Sequence, residues 1–115
     1  IIQGRLDEAA GEFVRRKNED PIRVWDPHTG KLLRELAGHT ASVEAVRYGR
    51  GGKYLFSASQ DRTIKIWDVA TSRLLETLRG HGDRIYSLAL SPDGRRLAST
   101  GGSVVTIWEV GAYRD

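Results

Sequence analysis

His39-Thr-Ala-Ser-Val43, Val46-Arg47-Tyr48, Lys53-Tyr-Leu-Phe-Ser-Ala-Ser59 and Asp61-Arg-Thr-Ile-Lys-Ile-Trp-Asp68 form the stretch whose reading decides the fold. The rest of the chain is a copy or a remnant of it. Trp25-Asp26, Trp67-Asp68 and Trp108-Glu109 recur at intervals of 42 and 41 residues, and Gly38-His39 and Gly80-His81 at 42. The intervening runs match as well. Ile22-Arg-Val-Trp-Asp26 pairs with Ile64-Lys-Ile-Trp-Asp68, and Lys31-Leu-Leu-Arg-Glu-Leu36 with Arg73-Leu-Leu-Glu-Thr-Leu78. Agreement at so many positions under one shift marks an internal repeat, and a repeat governs every later inference about fold.

A period of about 40–45 residues carrying a Gly-His and a Trp-Asp dipeptide signals a four-stranded propeller blade. On these residues the chain resembles the WD-repeat (tryptophan–aspartate repeat) β-propeller family, well over about residues 21 to 110 and poorly over 1 to 20. The resemblance implies an all-β protein, an incomplete propeller of about three blades of four-stranded antiparallel sheet. Residues 1–40 are expected to form a degenerate first blade, 41–82 a complete second blade, and 83–115 a third blade lacking its outer strand. A twisted sheet with two apolar faces needs neighbours on both sides, and closed rings hold about 4–8 blades. The chain is therefore expected to be a fragment of a larger ring, the alternative being a short chain that closes a ring by self-association through its open blade faces. The Ser91-Pro-Asp-Gly-Arg-Arg-Leu-Ala98 stretch and Arg-rich usage resemble bacterial members of the family.

The 115 residues carry a net charge of +3 with a pI of about 9.5. That favours solubility and mild attraction to acidic surfaces. Arg and Lys read as scattered along alternating strand positions, so no nucleic-acid partner is expected. The chain has no Cys, which excludes disulfides and thiolate metal sites. Its three His show no ligand-like spacing, so no metal and no cofactor are expected. No apolar run approaches the length of a membrane span.

Along the chain, residues 1 to 20 admit two readings. Shifting the second repeat back gives a degenerate strand pair with Glu12 to Arg16 as its second strand. Leu6, Ala9, Ala10, Phe13, Val14 and Lys17 also fall at helical spacing, with Asp7 as a cap. Strands are expected over Ile22–Asp26 and Lys31–Leu36. In the second blade they are expected over Ser42–Tyr48, Lys53–Ser59, Thr63–Asp68 and Arg73–Leu78, and in the third over Arg84–Leu90, Arg95–Thr100 and Val104–Glu109. Pro27-His-Thr-Gly30, Gly49-Arg-Gly-Gly52 and Ser91-Pro-Asp-Gly94 are turns by composition. Gly49-Arg-Gly-Gly52 also evokes a phosphate-cradling or RNA-contacting loop. It lacks the Gly-x4-Gly-Lys-Ser/Thr spacing and aligns with the hairpin at Ser91, so it reads as a turn.

His39, Ser57 and Asp61 superficially form a hydrolase triad, since such a set works in any chain order. The family resemblance implies instead a buried hydrogen-bond network of His39, Ser57, Asp61 and Trp67, with no catalytic residue. The chemistry agrees: His39 donates to Asp61 and accepts from Ser57, whose oxygen takes the Trp67 N–H, so each buried polar group has a partner. His81, Ser99 and Trp108 repeat the set without the Asp, for which Ser103 is the nearest polar substitute. In the first blade Glu19 and Arg15 fall at the Asp and Ser positions. The resemblance places partner contacts at the narrow face where inner strands begin, onto Ser42, Glu44, Gln60, Arg84 and Tyr86. Tyr86 has a second reading, as packing between blades. The implied function is a non-catalytic scaffold for a protein or peptide partner. The alternative is a repeat segment attached to an enzymatic or signalling domain outside these residues.

Overall fold

A computed structural model of the chain describes residues 12–13 and 21–114. Among these residues ten strands, all antiparallel, form three sheets. The first sheet is β1 (Glu12–Phe13), β2 (Ile22–Trp25) and β3 (Leu32–Leu36). The second holds β4 (Val43–Tyr48), β5 (Tyr54–Ser59), β6 (Ile64–Asp68) and β7 (Arg73–Leu78), in chain order across the sheet. The third holds β8 (Ser87–Leu90), β9 (Arg96–Gly101) and β10 (Val104–Glu109). A single 3-10 turn follows at Gly111–Tyr113, and no α-helix occurs among the described residues.

Alternation along each strand determines what packs against what. On β5, Leu55 joins a core with Ile22 and Leu36 of the first sheet, while Phe56 and Ala58 join one with Ile85, Leu88 and Leu97 of the third. On β6, Trp67 faces the first sheet, and Ile64 and Ile66 face the third. The inner strands of the second sheet are thus apolar on both faces and covered on both, while Leu74 and Leu75 of the outer strand β7 stay exposed. A bulge falls between Ile66 and Trp67, and an equivalent one between Val24 and Trp25, so the repeat extends to the irregularities of pairing.

Turn chemistry sets the hairpins. Gly52 and Gly94 take φ +80° and +76°, a region without penalty only for glycine. The Asp93 carboxylate accepts the Arg95 N–H at 3.0 Å and the Ser91 O–H at 2.7 Å, closing its own loop. Residues 49–52, which evoked a ligand loop, form such a hairpin, with Gly49 N–H donating to Tyr54 O at 2.8 Å.

One expectation needs correction. The strand expected from Arg84 begins at Ser87, because the Ile85 N–H turns to Ser59 O of the neighbouring sheet at 3.3 Å instead of staying in its own ladder. Of the contested N-terminal stretch, Glu12 and Phe13 pair with Val24 and Arg23 as strand. The rest of 1–20, with the helical alternative and Arg15 and Glu19, lies outside the described residues.

Candidate functional site

The site is built where the loop leaving one sheet meets the next sheet. Gly38-His39 follows β3, and the His39 ring enters between the first and second sheets. Gly38 leaves little room for a side chain: a Cβ there would meet the Trp67 ring at 3.2 Å, and the ring would have to shift. The His39 Nδ1 lies 2.8 Å from Asp61 Oδ2, and its Nε2 lies 2.7 Å from Ser57 Oγ. The Trp67 Nε1–H donates to Ser57 Oγ at 2.8 Å. The four side chains proposed from sequence therefore meet as one cluster.

Charge assigns the protons. Burial alone would raise the Asp61 carboxyl, but hydrogen bonds from His39 and Thr63, aided by the Thr40 N–H, outweigh it and hold the group well below the usual carboxylate range. An ionised carboxylate only accepts, so His39 Nδ1 carries the proton. Nε2 then accepts the Ser57 O–H, and the Ser57 lone pairs are left to accept the Trp67 N–H. Burial lowers the His39 pKa despite the pull of Asp61, so the ring is neutral near pH 7. Sequence reasoning missed Thr63, whose hydroxyl donates to Asp61 Oδ1 at 2.6 Å while its N–H donates to the same oxygen at 2.9 Å. Its only signal was position, two residues after the acid, where an Asx turn closes.

In the third sheet His81 Nε2 lies 2.6 Å from Ser99 Oγ, which accepts the Trp108 Nε1–H at 2.8 Å. The acid is missing there. Ser103, offered as its substitute, is exposed, and no hydrogen bond joins it to His81 among the described residues. The loop Gly101-Gly102-Ser103 is one residue shorter than its counterpart, which removes the position from which Asp61 reaches back. A cleft of about 290 Å³ between the 80–83 and 101–104 segments occupies that end of the sheet.

The five candidate contact residues lie at this same rim of the sheets. Glu44 Oε2 accepts the Gln60 Nε2–H at 2.6 Å, and Ser42 O accepts the Gln60 N–H at 2.9 Å. Arg84 and Tyr86 are exposed on either side of buried Ile85, and the Ile85 bond to Ser59 holds them next to Gln60. Tyr86 is 50% exposed, so it does not pack between the described sheets. No group of three or more His, Cys, Asp or Glu side chains is arranged for a metal ion among the described residues, and no helix there is long and apolar enough to cross a membrane.

Stacked antiparallel sheets, the second and third each tied to the loop before it by a His–Ser–Trp network, define a propeller-type repeat protein. A model of the family described as WD domain, G-beta repeat matches residues 30–68 and 72–109. The chain belongs to this family. It is 39% identical over 99 residues to the human WD repeat and SOCS box-containing protein 1, covering 84% of this chain and 24% of that protein. It is 36% identical over 107 residues to the periodic tryptophan protein 2 homolog of Schizosaccharomyces pombe, covering 90% of this chain and 12% of that protein. Nuclear distribution protein nudF 2 of Penicillium rubens is 36% identical over 64 residues, which are 55% of this chain and 14% of that protein. The chain thus spans a quarter or less of these relatives. All three are eukaryotic, and the likeness to bacterial members is not supported. The residues that suggested it have a physical role in any lineage, because Ser91, Asp93 and Gly94 close a tight hairpin.

Proposed function

We propose that this chain is a WD-repeat segment of a rigid, non-catalytic scaffold, and that Ser42, Glu44, Gln60, Arg84 and Tyr86 contact a protein or peptide partner. WD-repeat proteins in general serve as protein-interaction scaffolds and are generally non-enzymatic, which supports the coarse reading. The observation that carries the finer one is the exposure of Arg84 and Tyr86 beside Ile85, a residue locked into the inter-sheet core. Tyr and Arg are the residue types that most often anchor interfaces, and a rigid base lowers the ordering cost of binding.

The His39–Ser57–Asp61–Trp67 cluster acts in this reading as an internal tie. His39 is 4% exposed and Ser57 fully buried, so the would-be nucleophile meets no substrate. The bare apolar face of β10, with Val105 and Ile107, is the surface through which another blade or a second copy would associate. Attachment to an enzymatic or signalling domain outside these residues is the second reading, and it rests on no observation within the chain.

Site-specific photo-crosslinking tests the proposal. A benzoylphenylalanine at position 86 of the full-length protein should yield a discrete protein adduct in the native cell, and Arg84→Ala should reduce it several-fold. Equal adducts from position 86 and from the exposed turn position 28 would refute the assignment.

A further inference from the structure

The cations that look scattered in sequence gather at the rim opposite the candidate contact residues. Arg50 lies in the β4–β5 hairpin, Arg95 in the β8–β9 hairpin, and Arg114 just after the 3-10 turn. The buried Gly94 brings two of them together. A Cβ on Gly94 would sit 3.0 Å from the Arg50 Cβ and 3.1 Å from the Arg114 Cβ, so those two Cβ atoms are no farther apart than these distances combined. Arg95 joins them, because its carbonyl accepts the Val110 N–H at 2.8 Å and its stem packs by Gly111.

The nearby acids are hydrogen-bonded elsewhere, although Asp93 also attracts Arg95 electrostatically. Asp93 accepts bonds within its own turn, Glu109 takes the Arg96 Nε–H at 2.9 Å, and Glu76 takes the Tyr113 O–H at 2.6 Å. The guanidinium groups of Arg50, Arg95 and Arg114 make no ion pair or hydrogen bond among the described residues. Beside them Tyr54 and Tyr113 pack edge to face, with ring centroids 5.3 Å apart. Arg stems rooted this close bring several positive charges to one junction, and that charge attracts an anionic guest.

We infer that this junction between the second and third blades binds an acidic peptide segment of a partner protein. In an extended peptide, side chains two residues apart point the same way at a spacing of roughly 6.6–7 Å. Alternate Glu or Asp residues therefore match guanidinium stems set this close, and each carboxylate offers the paired acceptor geometry that Arg prefers. The stems of Arg50 and Arg114 meet at one point between two blades. A nucleic acid backbone wants a track of cations along its length.

The test uses the full-length protein and a fluorescein-labelled peptide of alternating Glu and Ser, with the Gln-for-Glu peptide and a 20-nucleotide single strand as comparators. Anisotropy should show binding of the Glu peptide that weakens at least tenfold in the double variant Arg50→Glu/Arg114→Glu. It should stay within twofold in Arg79→Glu, at the other end of the sheet. Raising salt from 50 to 300 mM should weaken binding several-fold. Should the charge reversals disturb folding by circular dichroism, Arg50→Gln/Arg114→Gln is read instead, with at least a fourfold loss expected. Equal binding of the Gln peptide, or no loss in either double variant, would overturn the inference. Tighter binding of the single strand with the same dependence on Arg50 and Arg114 would replace the peptide with nucleic acid and overturn it too.

Discussion

The second and third blades are built from nearly the same sequence, yet β6 is almost wholly buried while β10 is largely exposed. Ile64 and Ile66 are each 0% exposed; their counterparts Val105 and Ile107 are 63% and 57% exposed. The residue types are equivalent, but β6 pairs with β5 and β7 while β10 pairs only with β9. What differs is the company: the third sheet covers β6, and no described element covers β10. Burial in a repeat protein belongs to the interface between units, not to the unit. The polar networks diverge for a separate, local reason. Asp61 completes the second, and a loop one residue shorter leaves the third without its acid.

The largest test compares equivalent isoleucines. Ile66→Ala should cost about 3–4 kcal/mol, as for a large-to-small core change. Ile107→Ala in the 115-residue chain should cost less than about 0.5 kcal/mol. Urea unfolding measures both, and a longer chain in which the difference vanishes would show that a further element covers β10. Next come the histidines. His39→Ala leaves Asp61 and Ser57 short of a partner inside the structure and should cost about 2–3 kcal/mol. His81→Ala, with no acid to strand, should cost nearer 1 kcal/mol. His28→Ala, in an exposed turn, should change stability by less than about 0.5 kcal/mol. Equal melting shifts for all three would remove the distinction between a complete and a partial network.

Acid should separate the blades more finely. Burial lowers the pKa of both His39 and His81, so the unfolded chain takes up their protons first. Stability from the neutral rings is complete above 6.5 and is lost as pH falls below that value. Asp61 is depressed below its ordinary 3.8, so its contribution is complete above 3.8 and drains only as pH falls further. Denaturation midpoints from pH 7.5 to 3 should fall in two stages, and Asp61→Asn should shrink the second, to which the depressed Asp26 and Asp93 also contribute. A flat profile down to pH 5 would count against neutral buried histidines. The smallest effect lies at the bridge from the third blade back to the second. The bond to Glu76, with some burial, pushes the Tyr113 hydroxyl up to about 12. Glu76→Gln should bring its absorbance titration back toward 10, while Tyr113→Phe costs under about 1 kcal/mol at so exposed a contact.

The repeat was legible because a propeller blade imposes its demands at constant spacing. The Trp, the His and the turn glycines recur wherever the same packing recurs, so β7 and β10 fall where the pattern put them. The four-residue cluster around His39 was legible because three polar side chains and an indole at those offsets satisfy one another. Thr63 escaped notice because a Thr at a strand start carries no mark of the acid it bonds. The late start of β8 escaped because the Ile85 N–H chooses an acceptor in another sheet, and periodicity within one strand says nothing of neighbours. The grouping of Arg50, Arg95 and Arg114 is hidden for the same reason, since 64 residues separate the first from the last.

Sequence alone determined the blade, its strands and its internal ties, because all of these depend on alternation and on short, repeated offsets. Tertiary structure alone decided which apolar faces are covered, which histidine keeps a carboxylate, and where the positive charge collects. Those outcomes depend on which distant segments are brought within a few ångströms, and that distance is set by the stacking of one sheet on the next.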